Sequence, residues 1–268
     1  MAINVGNTGT DGHFFGGHHI WQSGINARLL IDPYDYQHYT GENTTIIRDA
    51  SAEHNDLTIL GSPRSRGNPD LSARVNGGDW YFNASNFDLC YITDSSQSDL
   101  DIGTSDFLIQ FWMKTFDNQS MYPIMKAESA TGTNGYVITY FSSYLRLYLN
   151  GSLMWLTPWS SQVTSGEWYN IAFQINRGEY VEGFIDGVET TSTGASITQA
   201  PSSGTTLNNT RSFILGGYNI STGTPASVGS SFEGAMGPIQ IYKGSIPARG
   251  DHYAVKQNFN VYRGMFGK

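Results

Sequence analysis

The chain has 268 residues, 39% of them hydrophobic and 14% charged, with a formal net charge of −8. That length suits one large β-sandwich. With no run of Lys or Arg, the chain lacks the clustered positive charge that tracks nucleic acid or an anionic membrane surface, so neither is expected as a partner. The 31 glycines and 16 tyrosines, set against so few charges, imply many short strands joined by tight polar turns.

Residues 1–26 read as an N-terminal arm. The segment Met1-Ala2-Ile3-Asn4-Val5-Gly6-Asn7 has neither the basic region nor the apolar core of a secretory signal. The Asn-x-Ser/Thr sequons, Asn43 and Asn83 among them, are therefore read as chance in an Asn/Ser/Thr-rich chain. Gly12 to Trp21 is rich in Gly, His and aromatics and shows neither helical nor strand periodicity. Phe14, Phe15, His18, His19, Ile20 and Trp21 are its candidate assembly contacts, because apolar rings left in water are unfavourable. His13, His18 and His19 could bind a metal, but no further His or Cys cluster completes a tetrahedral set, so an anchoring role is preferred.

The domain, residues 27–268, is expected to open at Ala27 to Asp32. Gly61 to Pro69 is a loop, and Asp79 to Asn83 and Phe87 to Ile92 are strands. The single cysteine, Cys90, lies in the second of these. It excludes an intrachain disulfide and reads as a buried, inert thiol. In 107–113, Phe107, Ile109, Phe111 and Met113 share one face by period-two alternation. Leu145, Leu147 and Leu149 face one way, and Tyr144, Arg146 and Tyr148 the other. Asn150-Gly151 and Asp186-Gly187 signal type I′ hairpin turns. Trp168, Ile171, Phe173 and Ile175 mark a long strand with an expected slip near Asn170. The one helical segment is Asp251 to Phe259.

Four phrases carry a family likeness in their order: Asp106 to Trp112, Gly166 to Phe173, Val181 to Val188 and Phe232 to Tyr242. Together they resemble the laminin-G-like (concanavalin A-like) jelly roll, an all-β sandwich. The likeness includes a short opening strand before a Tyr-Thr-Gly stretch and an Asp-containing turn, Asp49-Ala50-Ser51. The closing words Gln257 to Gly267 resemble versions found in virion proteins of tailed phages. That resemblance implies a non-enzymatic virion protein, a capsid decoration or fibre or tail component. Its expected partners are other virion proteins, it is expected to form a homo-oligomer, and its site of action would be the particle. The alternative is a carbohydrate-binding adhesin module directed at a host-surface glycan.

Glucanases on this fold place paired carboxylates on one strand, flanking the bond to be cut. Nothing in this sequence has that spacing. Glu179 to Asp186 comes nearest, and Asp186-Gly187 is explained as a turn. No Gly-x-Ser-x-Gly elbow is present. Asp94, Asp99 and Asp101 could supply oxygen ligands to calcium, with turn and strand-end carboxylates as the preferred reading. Tyr140, Tyr144, Tyr148, Trp155 and Trp159 are the candidates for stacking on sugar rings; the competing reading is that such aromatics fill a core or an interface.

Overall fold

The computed structural model describes residues 13–15, 18–20, 25–32, 46–60, 80–82, 88–97, 99–116, 121–141, 143–158, 163–191, 202–218, 222, 232–244 and 246–268, with side chains from residue 27 onward. Trp21, Trp159 and the Gly61 to Pro69 loop lie outside the described residues.

The described strands, in chain order, are β1 (His13–Phe15), β2 (His18–Ile20), β3 (Ile25–Ile31), β4 (Ile46–Ile47), β5 (Leu57–Leu60), β6 (Trp80–Phe82) and β7 (Leu89–Ile92). They continue with β8 (Phe107–Thr115), β9 (Met121–Lys126), β10 (Tyr136–Phe141), β11 (Tyr144–Leu149) and β12 (Ser152–Pro158). The last are β13 (Trp168–Asn176), β14 (Tyr180–Ile185), β15 (Val188–Thr190), β16 (Phe213–Leu215) and β17 (Gly234–Gly244), followed by helix α1 (Tyr253–Tyr262). No described helix is long and apolar enough to cross a membrane.

Two antiparallel sheets make the sandwich. One is 8-stranded in the order β12-β11-β10-β9-β16-β7-β5-β4. The other is 7-stranded, β15-β14-β13-β8-β17-β3, with β6 pairing the start of β17. This is the all-β jelly roll that the phrase order implies. Neighbours distant in sequence, such as β9 with β16 and β8 with β17, hold each sheet together.

Period-two alternation explains the core. Phe107, Ile109, Phe111 and Met113 from β8 meet Leu145, Leu147 and Leu149 from β11 in one buried cluster between the sheets. Cys90 lies in the same cluster, and burial pushes its thiol pKa up, so it stays a protonated, inert group. The turns at Asn150-Gly151 and Asp186-Gly187 hold all four residues at positive φ, as type I′ geometry requires. Asp49 anchors the turn after the opening strand. Its carboxylate accepts from the backbone N–H of Leu30 (2.8 Å), Ser51 (2.9 Å) and Asn55 (2.7 Å) and from the Ser51 hydroxyl (2.5 Å).

Three expectations change. β13 pairs with β8 in unbroken register from Trp168 to Ile175, so there is no slip at Asn170. Trp168 simply belongs to the outer face. It packs with Trp112 and Phe266, while the odd-numbered Ile171, Phe173 and Ile175 point into the core. The segment read as an arm without strand periodicity contains β1 and β2, which pair with Phe14 opposite His19 and Phe15 opposite His18. Three residues per strand is too short for alternation to register. β2 runs beside α1. The helix itself starts and ends later than expected and buries Ala254, Val255, Asn258 and Tyr262 along one stripe.

Candidate functional site

The outer face of the 7-stranded sheet is closed by the chain itself. α1 places Ala254 and Val255 over Leu108, Ala172 and Phe184. Polar side chains on the sheet are also engaged there. The Gln110 amide donates to Asn170 Oδ1 (2.7 Å) and to the Val255 carbonyl (3.0 Å). Gln174 and the Tyr180 hydroxyl both donate to the Pro247 carbonyl, at 3.1 and 2.6 Å.

The outer face of the 8-stranded sheet is built differently. Register lines up one residue per strand in a continuous row: Leu153, Tyr148, Val137, Met125, Ile214, Tyr91 and Thr58. Val137, Met125 and Ile214 form a buried apolar floor, against which Tyr122, Tyr148, Tyr218 and Leu60 pack half-buried. The rings of Tyr122 and Tyr218 lie 5.2 Å apart. Burial raises the Tyr122 pKa, and the nearby Tyr218 and Tyr148 hydroxyls add to the rise while Arg146 opposes it. The guanidinium of Arg146 donates to the Tyr148 hydroxyl (3.4 Å) and lies 5.0 Å over the Phe141 ring and 5.9 Å from that of Tyr144. Phe141 is 44% exposed. The described part of the face therefore offers aromatic surface, phenolic hydroxyls and the Arg146 guanidinium, over a buried apolar floor.

The stacking candidates separate by parity. Tyr144 and Tyr148 stand on this outer face. Tyr140 and Trp155 do not, which corrects their reading as sugar platforms. Tyr140 is one residue out of phase with Thr139 and Phe141 and is fully buried in the core. Trp155 pairs opposite Leu147, is 2% exposed and packs edge-on against Phe173 (5.1 Å). Trp159 lies outside the described residues. Sequence reasoning missed Tyr91, Tyr122 and Tyr218 as members of the face. Arg146 and Phe141 were within reach, since Tyr144-x-Arg146-x-Tyr148 opposes the leucine stripe and Phe141 ends the strand just before it.

The carboxylates considered for calcium are held by cations of the protein. The Lys126 ammonium, wholly buried, sits 3.0 Å from Asp94 Oδ1 and 3.1 Å from Asp101 Oδ1. It also donates to the carbonyls of Arg211 (2.8 Å) and Asn209 (3.5 Å). Arg28 lies 3.8 Å from Asp99. Asp186, near the expected glucanase-like phrase, serves its turn. Its Oδ1 accepts from the Asn170 N–H (2.9 Å), and Oδ2 pairs with Lys268 (3.0 Å).

The family model of the concanavalin A-like lectin/glucanases superfamily matches residues 77–249, well over half of the chain. The chain belongs to this superfamily. Both sheets of the sandwich lie largely within the matched span. No curated protein matches the chain in sequence. Among solved structures, it is similar to the binding domain of botulinum neurotoxin DC in complex with rat synaptotagmin II, at 12% identity and TM-score 0.57, covering 88% of this chain and 51% of that one. The same binding domain in complex with SialylT matches at 12% identity and TM-score 0.55, over 88% and 51% of the two chains. A botulinum neurotoxin type C structure, described by its dependence on two ganglioside molecules for cell entry, matches at 15% identity and TM-score 0.55, again over 88% and 51%. The chain thus spans about half the length of these structures, and the likeness is one of fold.

Proposed function

We propose that this chain is a non-catalytic, lectin-type carbohydrate-binding module that holds its glycan on the outer face of the 8-stranded sheet. The observation that carries the reading is the cluster of Tyr122, Tyr148, Tyr218 and Arg146 over the Val137, Met125 and Ile214 floor. A sugar ring has apolar C–H faces and a hydroxyl rim. Half-buried tyrosines offer both a flat apolar ring and a polar tip. Arg146 supplies a planar donor suited to a carboxylate or to vicinal hydroxyls. Sites of this kind are apolar surfaces with a few placed polar groups. The opposite outer face is covered by α1, whereas Tyr122, Tyr148 and Tyr218 on this one stay half-buried. Support also comes from the solved neighbours, two of which are described with SialylT or with gangliosides.

The direct test is a glycan array probed with the full chain, with and without calcium. Retention on a discrete glycan class is expected, and calcium is expected to make little difference, because Lys126 occupies the Asp94–Asp101 pair. Silence under both conditions would count against the reading.

A second reading puts the same module on a tailed-phage particle, as a capsid decoration or fibre or tail component in a homo-oligomer. Its support is the closing segment Gln257 to Gly267 and the aromatic segment before residue 27. Antibodies to the chain would then label intact particles, and failure to label them would remove that reading without touching the glycan site.

A further inference from the structure

We propose that Glu182, Glu189 and His252 form a binding site for one divalent transition-metal ion. The hairpin of β14 and β15 brings the carboxylates together. Register sets Glu189 opposite Phe184, and Glu182 is two residues before Phe184 on the same strand, so all three share the outer face. His252 enters from the residue preceding α1, and its ring packs edge-on against Phe184 at 4.8 Å.

The donor atoms converge. His252 Nε2 lies 3.8 Å from Glu182 Oε1 and 3.6 Å from Glu189 Oε2, and the three ligand atoms all fall within 4.8 Å of one another. A tetrahedral zinc ion with bonds of about 2.0–2.1 Å needs donors roughly 3.3 Å apart. The two histidine-to-carboxylate separations exceed that spacing by only about 0.3–0.5 Å. Imidazole with carboxylates is a donor set that suits zinc and its neighbours among the divalent metals.

Two further observations point to a ligand. His252 Nε2 is buried yet has no hydrogen-bond partner among the described residues. Buried nitrogens are nearly always satisfied. Glu182, 4% exposed, is already aimed: Oε1 accepts from the Gly250 N–H (3.1 Å) and Oε2 from the Gln174 amide (3.4 Å). Such outer contacts fix the orientation of metal-binding carboxylates. Arg249 Nε approaches Glu182 Oε1 at 3.9 Å from a side chain that is 76% exposed, with its guanidinium 6.0 Å over the Tyr180 ring. Glu189, half exposed, gives the ion an entry path. Three protein ligands leave a fourth position for water. The ion would tie the edge hairpin to the start of α1, and so stiffen the cover of the 7-stranded sheet.

The test uses the full chain with His13, His18 and His19 changed to Gln, which removes the N-terminal histidines as competing ligands. Equilibrium dialysis against zinc, with metal analysis, should give one ion per chain. Cobalt(II) should give the visible absorption of a low-coordinate site. His252→Ala should abolish binding, and Glu189→Gln, at a partly exposed position and with circular dichroism checking that the fold is kept, should weaken it by at least about tenfold, the loss typical of removing an outer partner of a metal site. Absence of zinc at excess metal, or zinc retained undiminished in Glu189→Gln, would overturn the proposal. Should His252→Ala misfold, the Glu189→Gln result still decides.

Discussion

Gly183 faces Trp155 so closely that a Cβ on the glycine would lie 2.2 Å from Cε2 of the indole. This contact joins the two sheets, because Gly183 belongs to β14 and Trp155 to β12 of the opposite sheet. It also explains why the most conspicuous aromatic in the predicted sugar-binding hairpin is unavailable to a sugar. Gly183→Ala should destabilise the domain by about 1–3 kcal/mol through overpacking. The midpoint of urea unfolding measures this, and an unchanged midpoint would mean that the indole has room to move.

Lys126 should be a stability determinant. Removing its charge leaves Asp94 and Asp101 facing one another and takes one donor from the carbonyl of Arg211. Breaking a fully buried pair costs about 3–5 kcal/mol; Asp94 and Asp101 keep 27% and 17% of their side chains exposed, so a smaller loss, on the order of 2 kcal/mol, is expected. Lys126→Met should lower the denaturation midpoint accordingly, while a loss below about 1 kcal/mol would show that the two carboxylates find other partners.

The C-terminal segment should be needed to close the 7-stranded sheet. Phe266 stacks on Trp112 with ring centroids 4.2 Å apart and contacts Trp168 at 4.6 Å. Nearby, the Tyr262 hydroxyl donates to Asp32 (3.0 Å). Phe266→Ala should cost about 3–5 kcal/mol and reduce the near-ultraviolet circular dichroism of the packed indoles. A native near-ultraviolet spectrum with unchanged stability would mean that the ring only covers the surface.

The sandwich was legible wherever alternation was strict. The stripes at 107–113 and 145–149 and the Asn150-Gly151 and Asp186-Gly187 turns needed no long-range information. Trp168 misled because one bulky residue on the outer face looks like a break in an inward pattern. The candidate site was half legible. Tyr144, Arg146 and Tyr148 declared their face by opposing the leucines, but Tyr91, Tyr122 and Tyr218 join them only through the pairing of β7, β9 and β16, and sequence does not display that pairing. Tyr140 and Trp155 failed as site residues for a related reason: aromatic density alone does not say which side of a strand a ring occupies. The Glu182, Glu189 and His252 cluster was invisible, since it depends on how the C-terminal segment crosses a hairpin far back in the chain, as where the Gly250 N–H meets Glu182 across 68 positions.

The most direct measurement is a glycan array run on the wild-type chain beside Tyr148→Ala and Arg146→Ala. Both positions are half-buried on the outer face and outside the core. The wild type should retain a discrete glycan class. Each variant should fold normally and bind about tenfold more weakly, the equivalent of ~1.4 kcal/mol. Binding that is absent in the wild type, or undiminished in both variants, would contradict the assignment of the 8-stranded sheet's outer face as the carbohydrate site.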